Sequence, residues 1–129
     1  MAMSAPNVEA SRDGRAHGRT ELARAAALFR SLGDPARLAI LRRLTEGGPA
    51  RVVDLVSEVG LAQSTVSRHL ACLRDCGLVS SAPSGRASLF ALAEPAVINV
   101  LAAAERLLAA TGGAVALCPT YGVASEFRS

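Results

Sequence analysis

The stretch LAQSTVSRHLACLRDCGLV, residues 61–79, decides how the rest of the chain is read. At about 100° per residue, Val66, Leu70 and Leu73 fall on one side of a helix over 62–76, while Ser64, Ser67, Arg68 and Ala71 lie roughly opposite. The first set is a core face. The second is polar, short and small, the kind of surface that allows close approach to base edges and phosphates. Gly77 ends the helix. Ala62 offers no capping oxygen, which points to a helix start assisted by Ser64 or Thr65. Upstream, RVVDLVSEVG (51–60) reads as a shorter helix closed by Gly60. Downstream, LVSSAPSGRASLFAL (78–92) places apolar runs on either side of a turn at Pro83, Ser84 and Gly85, the pattern of a β-hairpin and the only strand signal in the chain. Two short helices joined by a glycine-containing turn and followed by a hairpin make a winged helix-turn-helix, whose second helix enters the major groove.

Further out, Leu22, Ala25, Ala26, Phe29 and Leu32 recur at helical spacing over 21–32 and predict a first helix with that set as its apolar stripe, stopped by Gly33. In DPARLAILRRL, Asp34 can cap a second helix, Pro35 suits its first position, and Leu38, Leu41 and Leu44 form its buried stripe. Residues 95–110 predict a fifth helix so poor in charge that it is expected to bury surface against another subunit. The expected class is mainly α with a small β-hairpin, a dimeric winged helix-turn-helix. Its expected parts are a disordered arm over 1–19, the domain over 20–110 and a tail over 111–129.

Bulk properties agree. The 129 residues suit one domain, and with three Phe, one Tyr and no Trp the core must be built from aliphatic side chains. A formal net charge of +3 permits nucleic-acid binding without establishing it. Residues 1–19 lack the apolar core of a signal peptide, and Glu94, Glu105 and Arg106 interrupt the C-terminal apolar region, so a cytoplasmic protein without a membrane partner is expected. Neither Ser67 with His69 nor any carboxylate pair supplies a catalytic constellation, and no enzyme activity is expected.

The candidate DNA contacts are Gln63, Ser64, Thr65, Ser67 and Arg68 on the reading helix and Arg86 on the hairpin. Gln63 suits adenine, Arg68 suits guanine or a phosphate, and Arg86 beside Gly85 can reach the backbone or minor groove. A winged helix also serves as a protein-docking module, so the same pattern admits a module that does not bind DNA.

LGDPARLAILRRL, LAQSTVSRHLACLRDCGLV and GRASLFAL, in this order and spacing, resemble the ArsR/SmtB family of metalloregulatory repressors over residues 21–110. The resemblance implies a homodimer built on the first and last helices, with operator DNA as partner. It implies no organic cofactor and no small organic substrate.

Three cysteines remain, an odd number that argues against a disulfide framework. Cys72 and Cys76 are four apart on the reading helix, on a flank that is neither core nor groove-facing, with Cβ atoms expected about 5 to 6 Å apart. Two sulfurs so placed can converge on one ion, and Cys118 in the tail can supply a third. Three thiolates form a soft trigonal set that suits polarisable ions. Within the family, CLRDCGLV together with a tail cysteine resembles the CmtR-type branch of cadmium and lead sensors. That implies Cys72, Cys76 and Cys118 as ligands and Cd2+ or Pb2+ as inducer, with Zn2+ or Hg2+ as further candidates. The alternatives are a thiol-oxidation-sensing repressor and a metal-binding docking module. The former needs an exposed cysteine near positive charge. Arg74 is close, but the pair sits near a helix C-terminus, where the dipole opposes negative charge.

Overall fold

A computed structural model describes residues 11–117 of the chain, with side chains over 18–117. The chain runs through α1 (Ser11–Leu32), α2 (Pro35–Gly47), β1 (Ala50–Arg51), α3 (Val52–Val59), α4 (Gln63–Asp75), β2 (Val79–Ser84), β3 (Ala87–Leu92) and α5 (Ala96–Ala110). The sheet order is β1-β3-β2, antiparallel throughout. This is a winged helix-turn-helix: α3 and α4 form the helical pair and β2–β3 the wing.

Local chemistry explains the boundaries. Asp34 caps α2 by accepting a hydrogen bond from the Arg37 N–H at 3.0 Å, and Pro35 occupies a first-turn position whose N–H would be unpaired in any case. Asp54 accepts from the Arg51 N–H at 3.2 Å and closes the start of α3. At the far end of α4, Gly77 takes φ +79°, the Gly77 N–H donates to the Arg74 carbonyl at 3.0 Å, and the Leu78 N–H donates to that of Leu73 at 2.9 Å. These are the two bonds of a Schellman closure, completed by burial of Leu73 and Leu78, and they hold Cys76 at the helix end.

The core joins Ile40, Leu41 and Leu44 of α2, Leu55 of α3, Val66, Leu70 and Leu73 of α4, Phe90 of β3, and Val97 and Leu101 of α5. All three residues assigned to the inner face of α4 are there. Burying each such side chain stabilises the fold by about 1.5–3 kcal/mol.

Five expectations need correction. Helix α1 begins at Ser11, so residues 11–19 are helical where an arm was expected; residues 1–10 lie outside those described. The stripe assigned to α1 mostly faces outward: Leu22 is 70% exposed and Phe29 65%, whereas Leu28 and Leu32 pack on the core. The helix carries two apolar faces, and spacing alone does not say which one its own subunit covers. A third strand, β1, pairs with β3 through Ala50↔Phe90 and Arg51↔Leu89; two residues are too few to show alternation. Pro83 and Ser84 belong to β2, and the turn is Gly85-Arg86, with Gly85 at φ +65°. Proline is tolerated there because β2 is an edge strand. Finally, α4 starts at Gln63 with Ala62 as its cap and no side-chain cap bond, so neither Ser64 nor Thr65 precedes the helix. Among the described residues, no helix is long and apolar enough to cross a membrane.

Candidate nucleic-acid interface and thiol pair

The outward face of α4 carries the predicted contacts. Gln63, Ser64, Ser67 and Arg68 are exposed, Thr65 is half-buried at the edge of that face, and Arg86 is exposed at the wing tip. Ala71, grouped with the outward residues by angle, is half-buried. The first turn of α4 has no side-chain cap, leaving its backbone N–H groups at the positive end of the helix dipole, an arrangement suited to a phosphate oxygen. The Arg74 guanidinium reaches Ser81 Oγ at 3.4 Å and ties the last turn of α4 to strand β2. The reading helix and the wing are thereby held together. Composition gave no hint of this tie, since an arginine in a last helical turn needs no partner beyond the dipole.

The flank of α4 between core and groove faces α1 and α2. Here Arg37 is a hub: Nε donates to the Ser31 carbonyl at 2.8 Å, Nη2 to the Arg30 carbonyl at 3.1 Å, and Nη1 to His69 Nδ1 at 3.3 Å. A guanidinium only donates, so Nδ1 of His69 is the acceptor and Nε2 carries the proton of the neutral ring, 3.8 Å from Asp34 Oδ2. The bond from the Arg37 N–H holds the Asp34 carboxyl below the usual aspartate range; burial opposes this, and the nearby Arg37 guanidinium adds to it. His69 is thus engaged with α2.

Cys72 is half-buried and Cys76 exposed, and both are free thiols. Cys76 Sγ lies 2.8 Å from the Ser31 hydroxyl and borders an open hollow with Glu21, Arg24, Ala25 and Leu28 of α1. Two soft donors one helical turn apart, one open to solvent, fit a thiophilic ion. Among the described residues no group of three or more His, Cys, Asp or Glu is placed to hold a metal, so the pair there stands without a third ligand. Cys118 lies outside the described residues. The chain just before it is fastened to the body: the Leu117 N–H donates to the buried Glu105 carboxylate, Arg42 Nη1 donates to the Ala116 carbonyl at 3.3 Å, and Leu117 is buried. Sequence reasoning took Glu105 only as an interruption of an apolar region. Its place on the stripe of Val97 and Leu101, at four-residue intervals, was the signal that it points inward.

Residues 34–81 match the family profile described as bacterial regulatory protein, arsR family. The chain is 34% identical over 93 residues to a "Probable mercury resistance operon repressor" of Streptomyces lividans, covering 72% of this chain and 74% of that one. Among solved structures, NolR from Sinorhizobium fredii superposes with a TM-score of 0.65 at 28% identity, over 77% of this chain and 94% of that one. The NMR structure of the cadmium metal-sensor CMTR from Mycobacterium tuberculosis superposes with a TM-score of 0.52 at 41% identity, over 60% and 80% respectively.

Proposed function

The chain belongs to the arsR family of bacterial regulatory proteins, and we propose that it is a repressor that grips operator DNA as a metal-free homodimer and releases it when Cys72, Cys76 and Cys118 together take up a soft ion, Cd2+ or Pb2+. The observation that carries this reading is the pair of free thiols in the last turn of the reading helix, with Cys76 open to solvent. The likeness to a cadmium sensor and to a mercury operon repressor supports the ion class.

In the DNA-bound state α4 lies in the major groove of one half-site. Gln63 is suited to pair with adenine, Arg68 with guanine or a phosphate, and Ser64, Thr65 and Ser67 with phosphates and base edges at close range. Arg86 reaches the backbone from the wing. A second copy covers the apolar residues left exposed on α1 and α5, Leu22, Phe29, Val100 and Leu107, and sets the two reading helices one duplex turn apart, about 34–36 Å.

Cys72 lies eight residues beyond Ser64, about 12 Å along the helix, so the sulfur site does not touch the bases. Cys72 and Cys76 hold two positions and Cys118 the third, each losing its thiol proton to solvent. The bound ion supplies soft metal–sulfur bonds. To reach the pair, Cys118 draws the tail onto the flank of α4, which biases the dimer toward a spacing of reading helices that no longer fits the operator. Coupling of this kind is reciprocal, so operator DNA weakens ion binding by the same factor.

Ultraviolet absorbance during cadmium titration of the wild type and of Cys118→Ser tests the ligand set. The expected result is a sulfur-to-metal charge-transfer band that is weaker in the variant. Equal bands remove Cys118 from the site, and no band in either chain removes the site.

A further inference from the structure

Ser31 sits at the C-terminal end of α1 and is only 4% exposed, unusual for a serine on a helix whose outer face meets solvent. Its backbone and its hydroxyl are both engaged. The carbonyl accepts from Arg37 Nε at 2.8 Å, and the hydroxyl meets Cys76 Sγ, 45 residues away in sequence, at 2.8 Å. The last turn of α1 is therefore joined to α4 in two ways. One runs from the Arg30 and Ser31 carbonyls through the Arg37 guanidinium to His69. It involves no sulfur, and ion capture at the thiols leaves its donors and acceptors as they are. The other is the direct contact between Ser31 and Cys76, and its character depends on what the sulfur is doing.

A thiol is a weak donor and a weak acceptor, so with Cys76 protonated either atom can donate and the bond is feeble. Once the proton is lost on ligation the sulfur can only accept. The hydroxyl must then donate, and a hydrogen bond to a charged acceptor is roughly twice as strong as a neutral one. Burial of Ser31 keeps water from competing for the hydroxyl. The sulfur is approached from two sides: the hollow lined by Glu21, Arg24, Ala25 and Leu28 admits an ion from solvent, while Ser31 meets it from the interior.

We infer that the Ser31 hydroxyl is the positioning residue that passes the ligation state of Cys76 from the reading helix α4 to α1, the helix whose exposed apolar face is the surface for a second copy. The inference rests on the reading of Cys76 as an ion ligand given above. On ligation the bond strengthens and gains a fixed direction, so the last turn of α1 is held against α4 in one arrangement and the inter-subunit geometry is set with it. Partners of this second kind orient a metal ligand, and their loss typically lowers metal affinity about 10–100-fold.

The test uses the full chain and a fluorescein-labelled duplex selected by the metal-free protein from a random library. Duplex affinity is measured by anisotropy without cadmium and at saturating cadmium, with the charge-transfer band recorded on the same samples. Ser31→Ala is expected to keep metal-free duplex affinity within about threefold and to reach the wild-type band at saturation. The cadmium-induced loss of duplex affinity should shrink about tenfold, a typical size for coupling between sites. Ser31→Thr keeps the hydroxyl and is expected to be released like the wild type. Release of Ser31→Ala by the wild-type factor overturns the inference, as does a folded Ser31→Thr that has lost release. Absence of the band in the wild type overturns the sulfur site itself and the inference with it, a failure distinguishable because it needs no variant.

Discussion

Asp34 shows how one side chain serves two ends. Its carboxylate caps α2 through the Arg37 N–H and faces the His69 ring of the reading helix. Removing such a cap costs about 1 kcal/mol, so Asp34→Ala should lower stability by that amount in chemical denaturation at neutral pH. The sign of its pH dependence follows from the depressed carboxyl: the folded state favours the charged form, so the contribution is full above the ordinary aspartate value of 3.8 and is lost as pH falls through the lower folded value. The gap between wild type and Asp34→Ala should therefore narrow only in strong acid. A gap that widens on acidification would contradict the capping role. On the DNA side, Arg68→Ala should cost about 1–3 kcal/mol against the selected duplex if Arg68 reads a base edge. Arg86→Ala should weaken all duplexes alike and lower the salt slope by about 0.9, the signature of one lost phosphate contact. Equal effects of Arg68→Ala on selected and random duplexes would move Arg68 to the phosphates.

At the scale of elements, α4 was legible in the sequence because its periodicity, its closing glycine and its flanking turn all agree, and Val66, Leu70 and Leu73 are buried as their spacing demands. The predicted DNA contacts are exposed for the same reason, apart from half-buried Thr65. What stayed hidden depends on contacts far apart in the chain. Nothing near Ser31 announces Cys76. Nothing near Leu22 or Phe29 tells which of two apolar faces of α1 its own subunit buries, and Leu28 and Leu32 take that place. Strand β1 exists only because β3 has a free edge beside it. Glu105 fastens Leu117, and with it the chain leading to Cys118, to α5. Glu105→Ala should raise hydrogen exchange at the Leu117 amide while leaving the buried amides of α4 protected. Unchanged protection at Leu117 would show that the apolar contacts of this residue hold the tail without the carboxylate.

For the whole molecule, the controlling feature is apolar surface that a single subunit leaves uncovered. Leu22 and Phe29 on α1 and Leu107 on α5 are each about two-thirds exposed, a level of large apolar exposure that calls for a covering surface. Phe29→Glu should yield a folded monomer by sedimentation and circular dichroism, with duplex affinity collapsing toward that of a single half-site. A dimeric Phe29→Glu would remove α1 from the interface. The modest net charge of +3 means that steering by the overall field is weak, so under the proposed mechanism affinity rests on two correctly spaced reading helices. The most direct measurement is a cadmium titration into the preformed complex with the selected duplex, following anisotropy and the charge-transfer band together in the wild type and in Cys118→Ser. The wild-type complex is expected to dissociate in step with growth of the band, and Cys118→Ser to stay bound at cadmium concentrations that saturate its two remaining thiols. Dissociation of both proteins at the same cadmium concentration, or a fully developed band with the wild-type complex intact, would contradict this mechanism.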